Sequence, residues 1–239
     1  MIMDKPIVVA LDFESATSAN KFLAQIDPTQ CRVKIGKELF TASGPEFVRQ
    51  VIAQGFDVFL DLKFHDIPNT VARAVAVAAD MGVWMLNVHA SGGSAMMTQS
   101  REALVPFGAD RPLLIAVTVL TSMARSDLQE IGLDCEPVDQ VKRLAQLTAN
   151  AGLDGVVCSA AETKVLRQAL GPHFCLVTPG IRRAEDSVGD QKRVTGPAEA
   201  IANGSSFLVV GRPITQAKSP LEALNEFNSA VAGIVTTLD

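Results

Sequence analysis

No apolar run in this 239-residue sequence is long enough to span a bilayer, and the continuous hydrophobic stretches are short enough to be buried strands. Membrane-spanning classes are thereby set aside. No charged-then-apolar signal segment opens the chain, and Cys31, Cys135, Cys158 and Cys175 lack the close pairing of zinc ligands. Reduced thiols in a cytoplasmic protein are the expectation. Three histidines, His65, His89 and His173, are too scattered for a helical metal pair, so no metal site is expected. The formal charge is −5 and basic residues are dispersed, which leaves no stripe for a nucleic acid and no patch for a membrane surface. An anionic ligand would have to be held by a few local cations. Nothing resembles a linker or low-complexity tract, the exception being a polar stretch over residues 182–197.

The sequence is 48% hydrophobic, enough for one large core, and single α/β barrels commonly have this length, so residues 1–239 are expected to form one domain. Short apolar runs recur at Ile7 to Leu11, Arg32 to Ile35, Val58 to Leu62, Val83 to Val88, Leu113 to Val119, Gly155 to Cys158, Cys175 to Val177 and Phe207 to Val210. Between them, helical spacing joins Phe47, Val48, Val51 and Ile52, then Val71, Ala74, Val75 and Ala78, then Val141, Leu144 and Leu147. Near the end, Ser219 offers an N-cap before Pro220, and Leu221, Leu224, Phe227, Val231 and Ile234 continue at helical spacing. Continuous rather than alternating hydrophobicity means that both strand faces are covered, as in a parallel sheet wrapped by helices. Eight such repeats favour closure into a (β/α)8 TIM barrel. The competing open, doubly wound sheet lacks a Gly-x-Gly-x-x-Gly after the first strand, where Asp12 stands instead.

The third apolar run ends in charge: Asp57-Val-Phe-Leu-Asp61-Leu-Lys63-Phe-His-Asp66-Ile-Pro-Asn-Thr70. Strand side chains alternate, so Asp61 and Lys63 point to one face and Leu62 to the other. Removing either charge from water costs about several kcal/mol unless partners surround it, and Asp66 is a candidate partner. The alternative is a plain ion pair that ends a strand.

In an eight-stranded barrel the loops after the strands build the active site, which gives weight to polar residues at strand ends. Asp12 follows the first strand, Thr121 the fifth, Arg182 the seventh, and Gly211 and Arg212 the eighth; Lys34 lies inside the second and reaches the same opening if it faces the axis. Phosphate sites in such barrels use the last two loops, where Gly211 would admit backbone N–H groups and Arg212 a two-pronged set of donors. Gly211-Arg-Pro213 taken alone is equally a solvent-exposed turn. Likewise, the 182–197 stretch is either a lid, with Gln191 bridging to the ligand, or a simple connection.

Taken together, these residues resemble the orotidine 5′-monophosphate decarboxylase family over essentially the whole chain. The resemblance is carried by Asp61-Leu-Lys63-Phe-His-Asp66-Ile-Pro-Asn-Thr70, with support from Ala10-Leu-Asp12, Val33-Lys34-Ile-Gly-Lys-Glu-Leu-Phe40, Thr178-Pro-Gly-Ile-Arg182 and Val209-Val-Gly-Arg212-Pro-Ile. It implies a homodimer of barrels that converts orotidine 5′-monophosphate to UMP and CO2 without metal or organic cofactor, in pyrimidine synthesis. By the same resemblance, Lys34, Asp61 and Lys63 of one subunit join Asp66 of the other in an alternating charge array, with Lys63 as proton donor. Ile67 and Thr70 would also reach into the neighbouring site. Asp12 and Lys34 would bind the ribose region, Thr121 the pyrimidine, Gln191 the base and phosphate, and Arg182, Gly211 and Arg212 the phosphate. Related barrels, the 3-keto-gulonate-phosphate decarboxylases and hexulose-phosphate synthases, keep Asp-x-Lys-x-x-Asp but use Mg²⁺, with the strand-three carboxylate as ligand. The His-Asp-Ile-Pro-Asn-Thr continuation and the Lys34 segment fit the orotidylate enzymes better.

Overall fold

A computed structural model describes residues 4–183, 186 and 195–235. Each of the eight apolar runs forms a strand: β1 (Ile7–Ala10), β2 (Arg32–Gly36), β3 (Val58–Phe64), β4 (Met85–His89), β5 (Leu113–Val117), β6 (Gly155–Val157), β7 (Cys175–Pro179) and β8 (Phe207–Val210). Each pairs in parallel with the next, and β8 returns to β1, closing a (β/α)8 barrel. The helices are α1 (Ala16–Leu23), α2 (Lys37–Ala53), α3 (Pro68–Asp80), α4 (Gly93–Glu102), α5 (Arg125–Glu130), α6 (Pro137–Asn150), α7 (Ala160–Leu170), α8 (Pro197–Ala202), α9 (Arg212–Thr215) and α10 (Pro220–Val235). None of the described helices is long and apolar enough to cross a membrane.

The continuous apolar character of the strands has a direct structural cause. Along β1, Val8 and Ala10 join an inner cluster with Phe59, Met85, Ile115, Val177 and Phe207, whereas Ile7, Val9 and Leu11 pack outward among the helices. Both faces are therefore buried, and a fully buried Leu, Ile or Phe side chain contributes about 1.5–3 kcal/mol over an exposed one. The helical spacings serve the outer layer: Phe47, Val48 and Val51 of α2 and Val71, Val75 and Ala78 of α3 are all buried. Pro68 opens α3 at a position that needs no N–H bond, and Gly44, with φ of 71°, breaks α2 just before Pro45.

Opposite the strand C-termini, the barrel is plugged by Arg32. Its guanidinium lies 4.3 Å from the ring centre of Trp84 and 5.2 Å from that of Phe207, and it pairs with Asp4 and Asp57. That end is occupied by structure, which leaves the C-terminal mouth as the open one.

Candidate active site

At the C-terminal mouth lies a cavity of about 470 Å³ with an apolar floor of Ala10, Phe59, Val117, Val157, Val177 and Val209. Its rim carries Asp12, Lys34, Asp61, Lys63, Thr121, Arg182, Gly211 and Arg212. Strand register explains why Lys34 is there: it pairs with Ala10 on one side and Phe59 on the other, both members of the inner cluster, so its side chain faces the axis. Two residues beyond Phe59, Asp61 faces the axis as well. Gly36 stands opposite Asp61 in the register, and a Cβ there would come 3.2 Å from Lys34 Nζ, so its lack of a side chain leaves room for the ammonium.

The charges form a chain. Lys34 Nζ is 3.3 Å from Asp12 Oδ1 and 3.4 Å from Asp61 Oδ2, and Lys63 Nζ is 2.6 Å from Asp61 Oδ1. Asp61 is nearly buried, at 8% exposure. Burial raises its pKa, but Lys34 and Lys63, together with hydrogen bonds from Lys63 and Asn87, outweigh that and hold the carboxyl below the usual range. Asp61 is therefore an anion shared by two ammonium groups.

Alternation correctly brought Asp61 and Lys63 together, although β3 is not regular there. The β3–β4 register runs from Leu60↔Leu86 to Phe64↔Val88, so β3 advances four residues while β4 advances two. Lys63 has φ of 53°, in the left-handed region that a lysine rarely enters. The buried Asn87 bonds both ends of this irregularity, donating to Asp61 Oδ1 at 2.7 Å and accepting the Lys63 backbone N–H at 2.8 Å. Asn87 was missed in the sequence, although its signal is there: one amide inside the apolar run Met85-Leu-Asn-Val-His89.

Asp66, Ile67 and Thr70 are exposed and are not among the described residues lining this cavity. Asp66 Oδ1 accepts the Ile67 N–H at 2.6 Å and sits just before α3. Thr121 lies four residues past β5, on the rim. Arg182 is 5% exposed, borders the cavity beside Arg212, and donates to the Ile181 carbonyl at 2.8 Å. Gln191 and most of the 182–197 stretch lie outside the described residues. Arg183, at the start of that stretch, pairs with Asp186 at 2.9 Å and with Glu226 of α10.

Among the described residues, no three His, Cys, Asp or Glu side chains are grouped so as to hold a metal ion. Both Asp61 oxygens are already engaged by Lys34, Lys63 and Asn87, so a metal there would have to displace them. Burial raises the thiols of Cys31 and Cys175 to about 12, which makes neither a nucleophile near neutral pH.

Comparison with known proteins agrees with the fold. Residues 5–227 match the model of the orotidine 5′-phosphate decarboxylase / HUMPS family. The chain is 62% identical over 229 residues to the orotidine 5′-phosphate decarboxylase of Vibrio atlanticus (strain LGP32), covering 96% of this chain and 99% of that one. It is 60% identical over 232 residues to that of Aliivibrio fischeri (strain MJ11), covering 97% and 99%. The crystal structure of orotidine 5′-phosphate decarboxylase from Lactobacillus acidophilus superposes with a TM-score of 0.86 at 39% identity, covering 95% of this chain and 99% of that one. With the family model spanning nearly the whole barrel, this chain belongs to the orotidine 5′-phosphate decarboxylase / HUMPS family.

Proposed function

We propose that this chain removes CO2 from orotidine 5′-monophosphate to give UMP in pyrimidine biosynthesis, without metal or organic cofactor, and that Lys63 supplies the proton. The observation that carries the reading is the ammonium of Lys63 at the cavity, 2.6 Å from an Asp61 whose other oxygen is engaged by Lys34. When the carbon–carbon bond to the carboxylate breaks, its electron pair stays on a ring carbon where it cannot spread far. A fixed ammonium beside that carbon stabilises the developing charge. A proton then passes from Lys63 Nζ to the carbon, CO2 departs, and the amine regains a proton from solvent. Lys34 and Asp61 hold the donor in place, because both are anchored by strand register rather than by a loop.

The rest of the nucleotide fits the mouth by chemistry. The apolar floor takes the flat face of the base, with Thr121 at its edge. Asp12 and Lys34 of the rim would bind the ribose hydroxyls, and Arg182, Gly211 and Arg212 the phosphate; Gln191, which lies outside the described residues, would contact base and phosphate. Phosphate binding far from the breaking bond supplies energy that assembles the site.

Residues 1–239 act as one catalytic domain in this reading, in a cytoplasmic homodimer. Asp66, Ile67 and Thr70 of each copy complete the site of the other. Their exposure to solvent, with none of them lining their own cavity, is the feature that fits this exchange.

The test is turnover of orotidine 5′-monophosphate by the purified protein in excess EDTA, with Lys63→Ala in parallel. Full activity in the chelator and a loss of at least about a thousandfold in Lys63→Ala are expected, the combined size of a general acid and an electrostatic contribution. Activity that vanishes with EDTA and returns with Mg²⁺ would instead assign the metal-dependent sugar-phosphate chemistry.

A further inference from the structure

Asn87 lies in the inner layer of the barrel, two residues beyond Met85 and opposite Ile115 of β5, where its neighbours are apolar. It is 0% exposed. A buried amide must find partners, and both of its recorded partners are on β3: Nδ2 donates to Asp61 Oδ1 at 2.7 Å, and Oδ1 accepts the Lys63 N–H at 2.8 Å. The second bond falls within the bulge. Between Leu60 and Phe64 the ladder to β4 is out of register, and within that span the Lys63 N–H is accepted by the side chain of Asn87. Bulges beside active sites re-aim a side chain, and a lysine at φ of 53° is held there only if its surroundings over-determine it.

We propose that Asn87 is a positioning residue for the reaction: its amide ties the left-handed backbone of Lys63 to the carboxylate of Asp61, and so fixes where the Lys63 ammonium stands in the cavity. The inference rests on Lys63 being the group that meets the reacting carbon. It adds a requirement that the charges alone do not impose, since Asp61 and Lys63 are in contact through their side chains whether or not the backbone between them is pinned. An apolar residue at 87 would fill the layer but leave the Lys63 N–H and one Asp61 bond unmet. An aspartate would keep the acceptor for the N–H but set a second anion against Asp61 until it took up a proton. The groups facing position 87 are Asp61 and Lys63 from β3, with Lys34 from β2 across Asp61, His89 further along β4, and the apolar Ile115 from β5.

The experiment compares the parent, Asn87→Ala, Asn87→Asp and Lys63→Ala in steady-state turnover and in UMP binding. Asn87→Ala is expected to lose at least about tenfold in kcat while its Kd for UMP stays within about threefold, because the phosphate and base contacts are elsewhere. For Asn87→Asp, activity relative to the parent is expected to rise as pH is lowered from 8 to 5, since the protonated carboxyl again donates to Asp61; an amide that merely fills the core would leave that ratio flat. The N87D profile decides the matter should N87A fail to fold. Turnover in Asn87→Ala within about twofold of the parent, or a pH-independent ratio in Asn87→Asp, would overturn the proposal. Either result beside a silent Lys63→Ala sinks this inference alone, whereas parental turnover in Lys63→Ala sinks the reading beneath it.

Discussion

His89 shows how one residue at the mouth responds to its neighbours. Burial first, and then the nearby charges of His65, Lys37 and Lys63, push its pKa below the ordinary value near 6.5. In the unfolded chain it binds a proton that the folded chain refuses, so stability falls as pH drops through about 6.5 and the loss is complete below the folded value. His89→Gln is therefore expected to lose less stability between pH 7 and pH 5 than the parent does, as read from melting temperatures; equal losses would place the acid sensitivity elsewhere. Asp61 behaves in the opposite chemical sense but with the same slope: its depressed pKa contributes stability above the unfolded value, and that is lost as pH falls through the folded one. Arg212 belongs to the remote end of the ligand. Arg212→Ala is expected to lower kcat/KM by more than about tenfold, the size of one or more charged hydrogen bonds, and an unchanged value would remove it from the phosphate site.

At the scale of elements, the strands were legible and the irregularity within one of them was not. Every run with apolar residues on both faces became a strand, because a parallel barrel needs both faces covered, and the boundaries shifted by only one or two residues. The fifth, for instance, stops at Val117 rather than Val119, where Thr118 Oγ1 turns to donate to the Val157 carbonyl at 2.9 Å. The bulge at Lys63 depends on Asn87, 24 residues away in sequence, so no local pattern encodes it. Lys34 was readable only as a residue whose direction depended on register, and register comes from pairing with Ala10 and Phe59. Tight strand packing was equally hidden: at Gly155 of β6 an added Cβ would run into the carbonyl oxygen of Cys175 on β7. Gly155→Ala is expected to destabilise the fold by about 1–3 kcal/mol, seen as a lower urea midpoint with an unchanged slope. A midpoint equal to the parent's would mean that β6 and β7 part without cost.

For the whole molecule, what the barrel leaves outside itself matters as much as what it encloses. Ile67 is 66% exposed at the start of α3, next to Asp66, and Val77 of the same helix is 64% exposed. An exposed acid next to an exposed isoleucine, neither of them lining its own cavity, fits the proposed site shared between two copies, with the reacting group of one held against the carboxylate of the other. The sequence carried these residues as a motif, and the crossing between copies belongs to the proposal, since nothing in a chain's periodicity tells which copy a side chain serves. The most direct measurement is complementation between two crippled variants. Lys63→Ala and Asp66→Asn are each prepared as inactive homodimers, mixed, and allowed to exchange subunits. In a mixed dimer one site carries both substitutions and the other carries neither, so random exchange is expected to restore roughly a quarter of parental turnover. Activity that stays at the sum of the two separate variants after exchange has been demonstrated would contradict the shared site and confine Lys63 and Asp66 to a single copy.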